Sequence, residues 1–170
     1  MFISIPYSMT DTVTLEEGQI SPDFSAVDSA GNNYQLSALN ADGKTVILYF
    51  YPKDSTPGCT TQACDFRDNM ARLNSENVIV LGVSKDSAKS HDKFTQKQDL
   101  NFPLLLDEDL SLHNLFGTWR IKKNYGKEYI GCVRSTFVIN PDGKISWMRY
   151  NVRAKNHVSM LMRELGFEGE

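Results

Sequence analysis

Cysteine is scarce in this chain of 170 residues, which holds three: Cys59, Cys64 and Cys132. A low, odd count excludes the disulfide framework of a small secreted domain. No cysteine pair has zinc-finger spacing, and His91, His113 and His157 form no H-x-x-x-H pair, so no metal and no other cofactor is expected. Basic side chains are missing from the N-terminus, where the first is Lys44. A secretory signal needs a positive n-region and a transit peptide needs arginines, so MFISIPYSMT reads as neither, and the expected location is cytoplasmic. No apolar run approaches the ~20 residues of a membrane-spanning helix. Repeats, low-complexity tracts and linkers are also lacking. That leaves one domain over 18–170, preceded by an N-terminal extension over 1–17. The net charge of −3 gives no electrostatic reason to expect nucleic acid or an anionic membrane as partner. No glycine cluster builds a phosphate loop, and neither Ser84 nor Ser135 has an evident base for Ser-His-Asp chemistry.

What is present is the composition of a globular protein, 41% hydrophobic and 23% charged. Short strands flank a Gly31-Asn32 turn and predict an N-terminal β-hairpin. The run TVILYFYP (45–52) is apolar, β-branched and aromatic, as a central buried strand is, and Pro52 ends it because proline cannot donate to a ladder. From Pro57 to about Asn74, the residues Cys59, Ala63, Phe66, Met70 and Leu73 recur on one helical face. VIVLGVS (78–84) and FPLLLD (102–107) predict two more strands. A polar helix between them runs from Asp86, an N-cap candidate, to about Asp99. A helix over 109–116 stops at Gly117, and Asp107-Glu108-Asp109 reads as its capping acids rather than a cation site. VRSTFVIN and KISWMRYN flank Pro141-Asp142-Gly143 as a hairpin, and a last helix covers about 155–165. The order implies an α/β fold with helices on both faces of a mixed sheet. A thioredoxin-like arrangement satisfies that order, as do other small α/β folds.

The chemistry concentrates where the first buried strand gives way to a helix, in Tyr51-Pro52-Lys53-Asp54-Ser55-Thr56-Pro57-Gly58-Cys59. A cysteine at a helix start faces unpaired backbone N–H groups and the positive end of the dipole, which favour the nucleophilic thiolate. Pro57 suits the first turn, where its missing N–H costs nothing, and Gly58 lets backbone amides approach a small ligand. The competing reading is that Cys59, the first residue of the apolar stripe, is a passive core cysteine. Cys64 lies five residues on, which in a helix puts the Cα atoms ~8.5 Å apart. A disulfide needs ~7 Å or less. Should these two bond, the helix must unwind, which suits a redox switch better than a structural staple.

Pro52, Thr56 and Cys59 match the Pro-x-x-x-Thr-x-x-Cys motif, and the chain here resembles the peroxiredoxins. TPGCTTQACDFRD is similar to the bacterioferritin comigratory protein, or peroxiredoxin Q, subgroup. NFPLLLDED, LFGTW and CVRSTFVINPDGKI extend the likeness over about 18–165. The resemblance implies a thioredoxin-like fold and thiol-dependent reduction of hydrogen peroxide and organic hydroperoxides. It makes Cys59 the peroxidatic cysteine, which becomes a sulfenic acid, and Cys64 the resolving cysteine that closes a Cys59–Cys64 disulfide. Thioredoxin or a similar thiol reductant would then restore both thiols. Thr56 would hydrogen-bond thiolate and peroxide, Arg134 would stabilise the charge, and Pro52 would shield the site. The backbone of Gly58 and Cys59 would cradle the peroxide. The subgroup implies a monomer. Gln62 stands where many members have glutamate. Cys132, two residues before Arg134, would share its strand face if that strand reached so far, and reads as a passive small residue. A thiol-disulfide oxidoreductase is the alternative enzyme, but such enzymes use C-x-x-C, whose cysteines bond without melting the helix.

Overall fold

A computed structural model describes residues 12–167. The first hairpin pairs β1 (Ser25–Val27) with β2 (Asn33–Gln35) antiparallel, as the Gly31-Asn32 turn predicts. The residues that follow it form a short helix α1 (Leu36–Ala41), which has no capping side chain and so left no signal of its own. β3 (Thr45–Phe50) then runs parallel to β4 (Val78–Ser84), and the long α2 (Pro57–Ser75) crosses between them. A second crossover through α3 (Ala88–Gln98) adds β5 (Leu104–Leu106), also parallel. The chain continues through α4 (Ser111–Phe116), the hairpin β6 (Trp119–Asn124) and β7 (Lys127–Cys132), the hairpin β8 (Ser135–Ile139) and β9 (Ile145–Arg149), and α5 (His157–Glu164).

The central sheet has the order β5-β4-β3-β8-β9, with β8 antiparallel to β3 and β9 antiparallel to β8. This is the mixed sheet of a thioredoxin-like fold. β3 is buried on both faces, and its alternation divides the core in two. Ile47, Tyr49 and Tyr51 point to the layer of α2, α3 and α5, meeting Phe66, Phe94 and Leu161. Val46, Leu48 and Phe50 point to the layer of α1 and α4, meeting Leu36, Leu112 and Phe116. The helical stripe read from the sequence (Cys59, Ala63, Phe66, Met70 and Leu73) is the buried face of α2. Fully burying each such large side chain contributes roughly 1.5–3 kcal/mol, so β3 and α2 are pinned where they meet. Gly82 is a place of close approach. A Cβ there would lie 2.9 Å from Leu104 and 3.1 Å from the Tyr49 ring, so glycine is what lets Tyr49 lie across β4.

Two local expectations change, and one hairpin is added. Asp86 does not cap α3: the N-cap is Ser87, whose side chain accepts from Ser90 N–H. The Asp86 carboxylate is already bound to Ser84 Oγ at 2.6 Å and to the Asp54 N–H at 2.9 Å. Cys132 does not share a strand with Arg134, because it ends β7 in a separate two-stranded sheet, whereas β8 begins at Ser135. The hairpin β6–β7, turning at Tyr125-Gly126, replaces what had no predicted element. Capping of α4 follows expectation: Asp107 accepts from the Leu112 and His113 N–H groups at 2.9 and 2.8 Å, and Asp109 accepts from Ser111.

Residues 1–11 of the N-terminal extension lie outside the described residues. The part that is described runs along the end of α4. Arg120 donates to the carbonyl of Val13 and to Thr14 Oγ1, Leu15 is buried, and its N–H donates to Tyr150 Oη at 3.0 Å. The fit is close at Gly117, where a Cβ would fall 1.8 Å from the Val13 carbonyl oxygen.

Candidate active site

β3 delivers the site to the edge of the core. Its ladder continues one residue past Phe50, with Tyr51 N–H donating to Val83 at 3.0 Å. Pro52 follows, half-buried. α2 opens at Pro57 after the extended N-cap Thr56, and Thr60 N–H makes the first bond of the helix, to Thr56 at 2.8 Å. The amides of Gly58 and Cys59 therefore precede the hydrogen-bonded ladder, at the positive end of the helix dipole. Cys59 sits there with 2% of its surface exposed.

Arg134, in the link between β7 and β8, reaches across to this helix start. Its Nη2 donates to Cys59 Sγ at 3.3 Å and its Nη1 to Gln62 Oε1 at 2.5 Å. The guanidinium brings a full positive charge to the sulfur, which stabilises a thiolate and any negative charge passing to a bound oxygen. Gly58 leaves room for it, since a Cβ would lie 3.3 Å from Arg134 Nη2. Gln62 is fully buried, and its Nε2 has no hydrogen-bond partner. Its role as the second support of Arg134 escaped the sequence reading. The available signal was its place one helical turn after Cys59, on the same side.

Thr56 donates its hydroxyl proton to the Lys53 carbonyl at 2.9 Å, so its oxygen lone pairs are free to accept. Cys64 is half-buried, faces α3, and donates from Sγ to Gln98 Oε1 at 3.5 Å. All three cysteines are free thiols, and α2 runs unbroken through Cys59 and Cys64. Cys132 is buried, and burial pushes its thiol up to about 12. At neutral pH it is therefore protonated and inert. Among the described residues, no group of His, Cys, Asp and Glu could hold a metal ion.

The loop that carries Thr56 is anchored by a buried cluster whose two halves, far apart along the chain, share no motif. The Asp54 carboxylate accepts from Tyr51 Oη at 2.5 Å and from Ser90 Oγ at 2.8 Å, and meets His91 Nδ1 at 2.7 Å. His91 Nε2 faces the Leu105 carbonyl at 2.9 Å. An acceptor facing each ring nitrogen favours a hydrogen on both, the imidazolium form of His91. Burial acts to lower its pKa, but the bond and charge of Asp54 outweigh burial and leave it raised.

Residues 18–148 match the AhpC/TSA family. The chain belongs to that family. It is 43% identical over 153 residues to a peroxiredoxin Bcp of Bacillus subtilis, covering 90% of this chain and 96% of the relative. To the peroxiredoxin Bcp of Escherichia coli it is 42% identical over 151 residues, or 89% and 96% of the two chains. The crystal structure of a Xylella fastidiosa PrxQ mutant superposes with a TM-score of 0.83 at 33% identity, covering 91% and 97% of the chains. A Xanthomonas campestris bacterioferritin comigratory protein, studied for alkyl peroxide reduction, superposes at 0.78 with 37% identity over 84% and 90%. The peroxiredoxin resemblance, down to its Bcp and peroxiredoxin Q branch, is thereby established, and with it the thioredoxin-like fold.

Proposed function

We propose that the protein reduces hydrogen peroxide and organic hydroperoxides through Cys59. The observation that carries this reading is the Arg134 guanidinium, 3.3 Å from the sulfur of a cysteine buried in a helix's first turn. The Cys59 thiolate attacks the terminal oxygen of the hydroperoxide, and the O–O bond breaks. The departing alkoxide or hydroxide takes a proton and leaves as alcohol or water, and Cys59 becomes a sulfenic acid. Arg134 offsets the charge as it moves from sulfur to oxygen. Thr56, whose lone pairs are free, accepts the O–H of the incoming peroxide, and the amides of Gly58 and Cys59 support its oxygens. Pro52 closes the side of the pocket against water.

Cys64 then attacks the sulfenic sulfur, forming a Cys59–Cys64 disulfide and releasing water. Their spacing along an intact helix, ~8.5 Å between Cα atoms, requires α2 to unwind first. Thioredoxin or a similar dithiol takes up the disulfide by exchange, returning both thiols and becoming oxidised itself. This makes the chain an antioxidant enzyme without metal or organic cofactor. We further take it to act as a cytoplasmic monomer, with one catalytic domain over 18–170 and no nucleic acid or membrane partner. No helix among the described residues is long and apolar enough to cross a membrane.

Mass spectrometry after one equivalent of peroxide tests the scheme. A mass loss of two hydrogens, mapped to a Cys59–Cys64 peptide pair, is the expected result. Cys59→Ser should abolish peroxide consumption, whereas Cys64→Ser should allow one turnover and then stop. Stoichiometric reduction by the Cys59 variant would overturn the assignment, and a bridge to Cys132 would replace Cys64 as the resolving partner.

A further inference from the structure

The end of α3 meets α2 beside Cys64. A helix leaves its last carbonyls without partners inside it and carries partial negative charge there. Gln98, the last residue of α3, sets two acceptors at this end. Its main-chain carbonyl accepts from Arg67 Nη1 at 2.6 Å, and its side-chain Oε1 accepts from the Cys64 thiol at 3.5 Å. Arg67 follows Cys64 by three residues in α2, a spacing that makes the two neighbours on the helix surface.

Arg67 is tied down more firmly than its place on a helix surface requires. Its Nε binds Asp68 at 3.0 Å, and its own carbonyl accepts from Asn101 Nδ2 at 3.3 Å, so side chain and backbone are both held to the segment that ends α3. Its charge is reinforced by the Asp68 bond, opposed by burial, and reinforced again by the Cys64 sulfur, ahead of Asp99. The other charged groups on the two helices here are Asp65, and Lys97 and Asp99 on either side of Gln98. From β3, the Tyr49 hydroxyl is kept neutral by burial first and then by the Cys59 sulfur. Gln98 and Arg67 therefore suit opposite forms of Cys64. The amide oxygen accepts from a thiol and offers nothing to a thiolate, whereas the guanidinium favours the thiolate.

We propose that Arg67 stabilises the Cys64 thiolate, so that Gln98 holds the resting thiol and Arg67 readies it to attack the sulfenic acid on Cys59. The inference rests on the reading of Cys64 as the resolving cysteine. In that step the Cys64 thiolate attacks the Cys59 sulfur, the S–S bond forms and the S–O bond breaks. The hydroxide that leaves takes up the equivalent of the proton that Cys64 gave up, and water is released. Because Arg67 is tied to the end of α3, it keeps its place while the first turns of α2 come apart, and its charge stays beside the departing thiol. Capping of α3 alone would use the same bond to Gln98, and the two roles differ in their pH dependence.

For the test, reduced protein is mixed with a slight excess of hydrogen peroxide, quenched in acid at intervals and analysed by mass spectrometry. This gives the rate constant for converting sulfenic acid to disulfide. In wild type it should rise with pH to a plateau as Cys64 ionises. In Arg67→Gln the rate near pH 7 should fall about fivefold and the rise should move to higher pH. The effect is modest because the Arg67 side chain is 30% exposed, so solvent screens its charge. The plateau should stay within about twofold of wild type, since a more basic thiolate is no poorer a nucleophile. Arg67→Lys, which keeps the charge, should restore the wild-type profile, and failure to do so overturns a role through charge. A rate lowered equally at every pH in Arg67→Gln would make Arg67 a cap of α3 only. A wild-type rate independent of pH would make unwinding of α2 the sole control of the step. Either result overturns the proposal. Gln98→Leu removes the side-chain acceptor, leaves the carbonyl that Arg67 uses, and serves if Arg67→Gln does not fold. Its rise should move to lower pH, and a move to higher pH overturns the proposal. If wild type forms no Cys59–Cys64 disulfide, the resolving role of Cys64 falls, and this inference with it.

Discussion

Arg134 holds Cys59 with one nitrogen and is itself held by Gln62 with another. Arg134→Gln should lower kcat/KM for hydroperoxide by about 100- to 1000-fold, the usual loss when one preorganised charge-stabilising donor is removed. A peroxide-consumption assay with saturating reductant measures it. Gln62→Leu leaves Arg134 in place but untethered, and the loss in the same assay should be nearer tenfold. Cys132 separates reactivity from mere presence of a thiol. With its proton held until about pH 12, it should stay unmodified when the folded protein meets iodoacetamide at pH 8. Cys132→Ala should retain full turnover. Cys59, Thr56 and Arg134 can be singled out as candidates in the sequence because short motifs carry them, and the fold brings Arg134 to Cys59. Gln62 stands out in the sequence as a departure from a family pattern and by its place one turn after Cys59, but its partner lies 72 positions away and is reached only through the fold.

α3 shows what patterns along the chain miss at the scale of an element. Its existence and approximate length were readable, but its cap was not. Asp86 and Ser87 are both good N-caps in isolation, and the choice depended on Asp86 being taken by Asp54 and Ser84 from other elements. α1 and the β6–β7 hairpin were missed for a related reason. α1 is six residues long and uncapped, and β7 is mostly exposed, so neither leaves a hydrophobic period. The strongest contribution of α3 is His91, whose ion pair with Asp54 is fully buried. His91→Leu would strand the Asp54 charge and should cost about 3–5 kcal/mol in denaturant unfolding. Because the folded-state pKa of His91 is raised, the wild-type advantage should be complete below about pH 6.5, the unfolded value. It should decline as pH rises through the folded value, where the imidazolium is lost. An advantage that grew on the alkaline side would contradict the charged pair.

At the scale of the whole molecule, one helix has two incompatible duties. An intact α2 places Cys59 at its positive end beside Arg134, and the proposed disulfide cannot close until that end comes apart. Hydrogen exchange should therefore show protection at Thr60 and the amides just beyond it in the reduced protein. After one equivalent of peroxide that protection should drop, while the amides of β3 and β4 stay slow. The broad architecture was legible from the sequence, because strands as apolar as 45–50 and 78–84 have few places to go. The side on which each helix packs had to come from the structure.

The mounting of the two thiols has a mechanical consequence. Near its start α3 grips the loop before α2 through Ser90 and His91, and with its last residue, Gln98, it grips Cys64. Sheet and α3 thus form a stator, and the first turns of α2 are the moving part. In the proposed cycle, oxidation pulls Cys64 off one end of the stator while the other end keeps its hold on the loop. The displaced turns then present a contour that the reduced enzyme never displays. A reductant shaped to that contour would engage only molecules that have work for it, so futile encounters with enzyme already reduced would be screened out by shape.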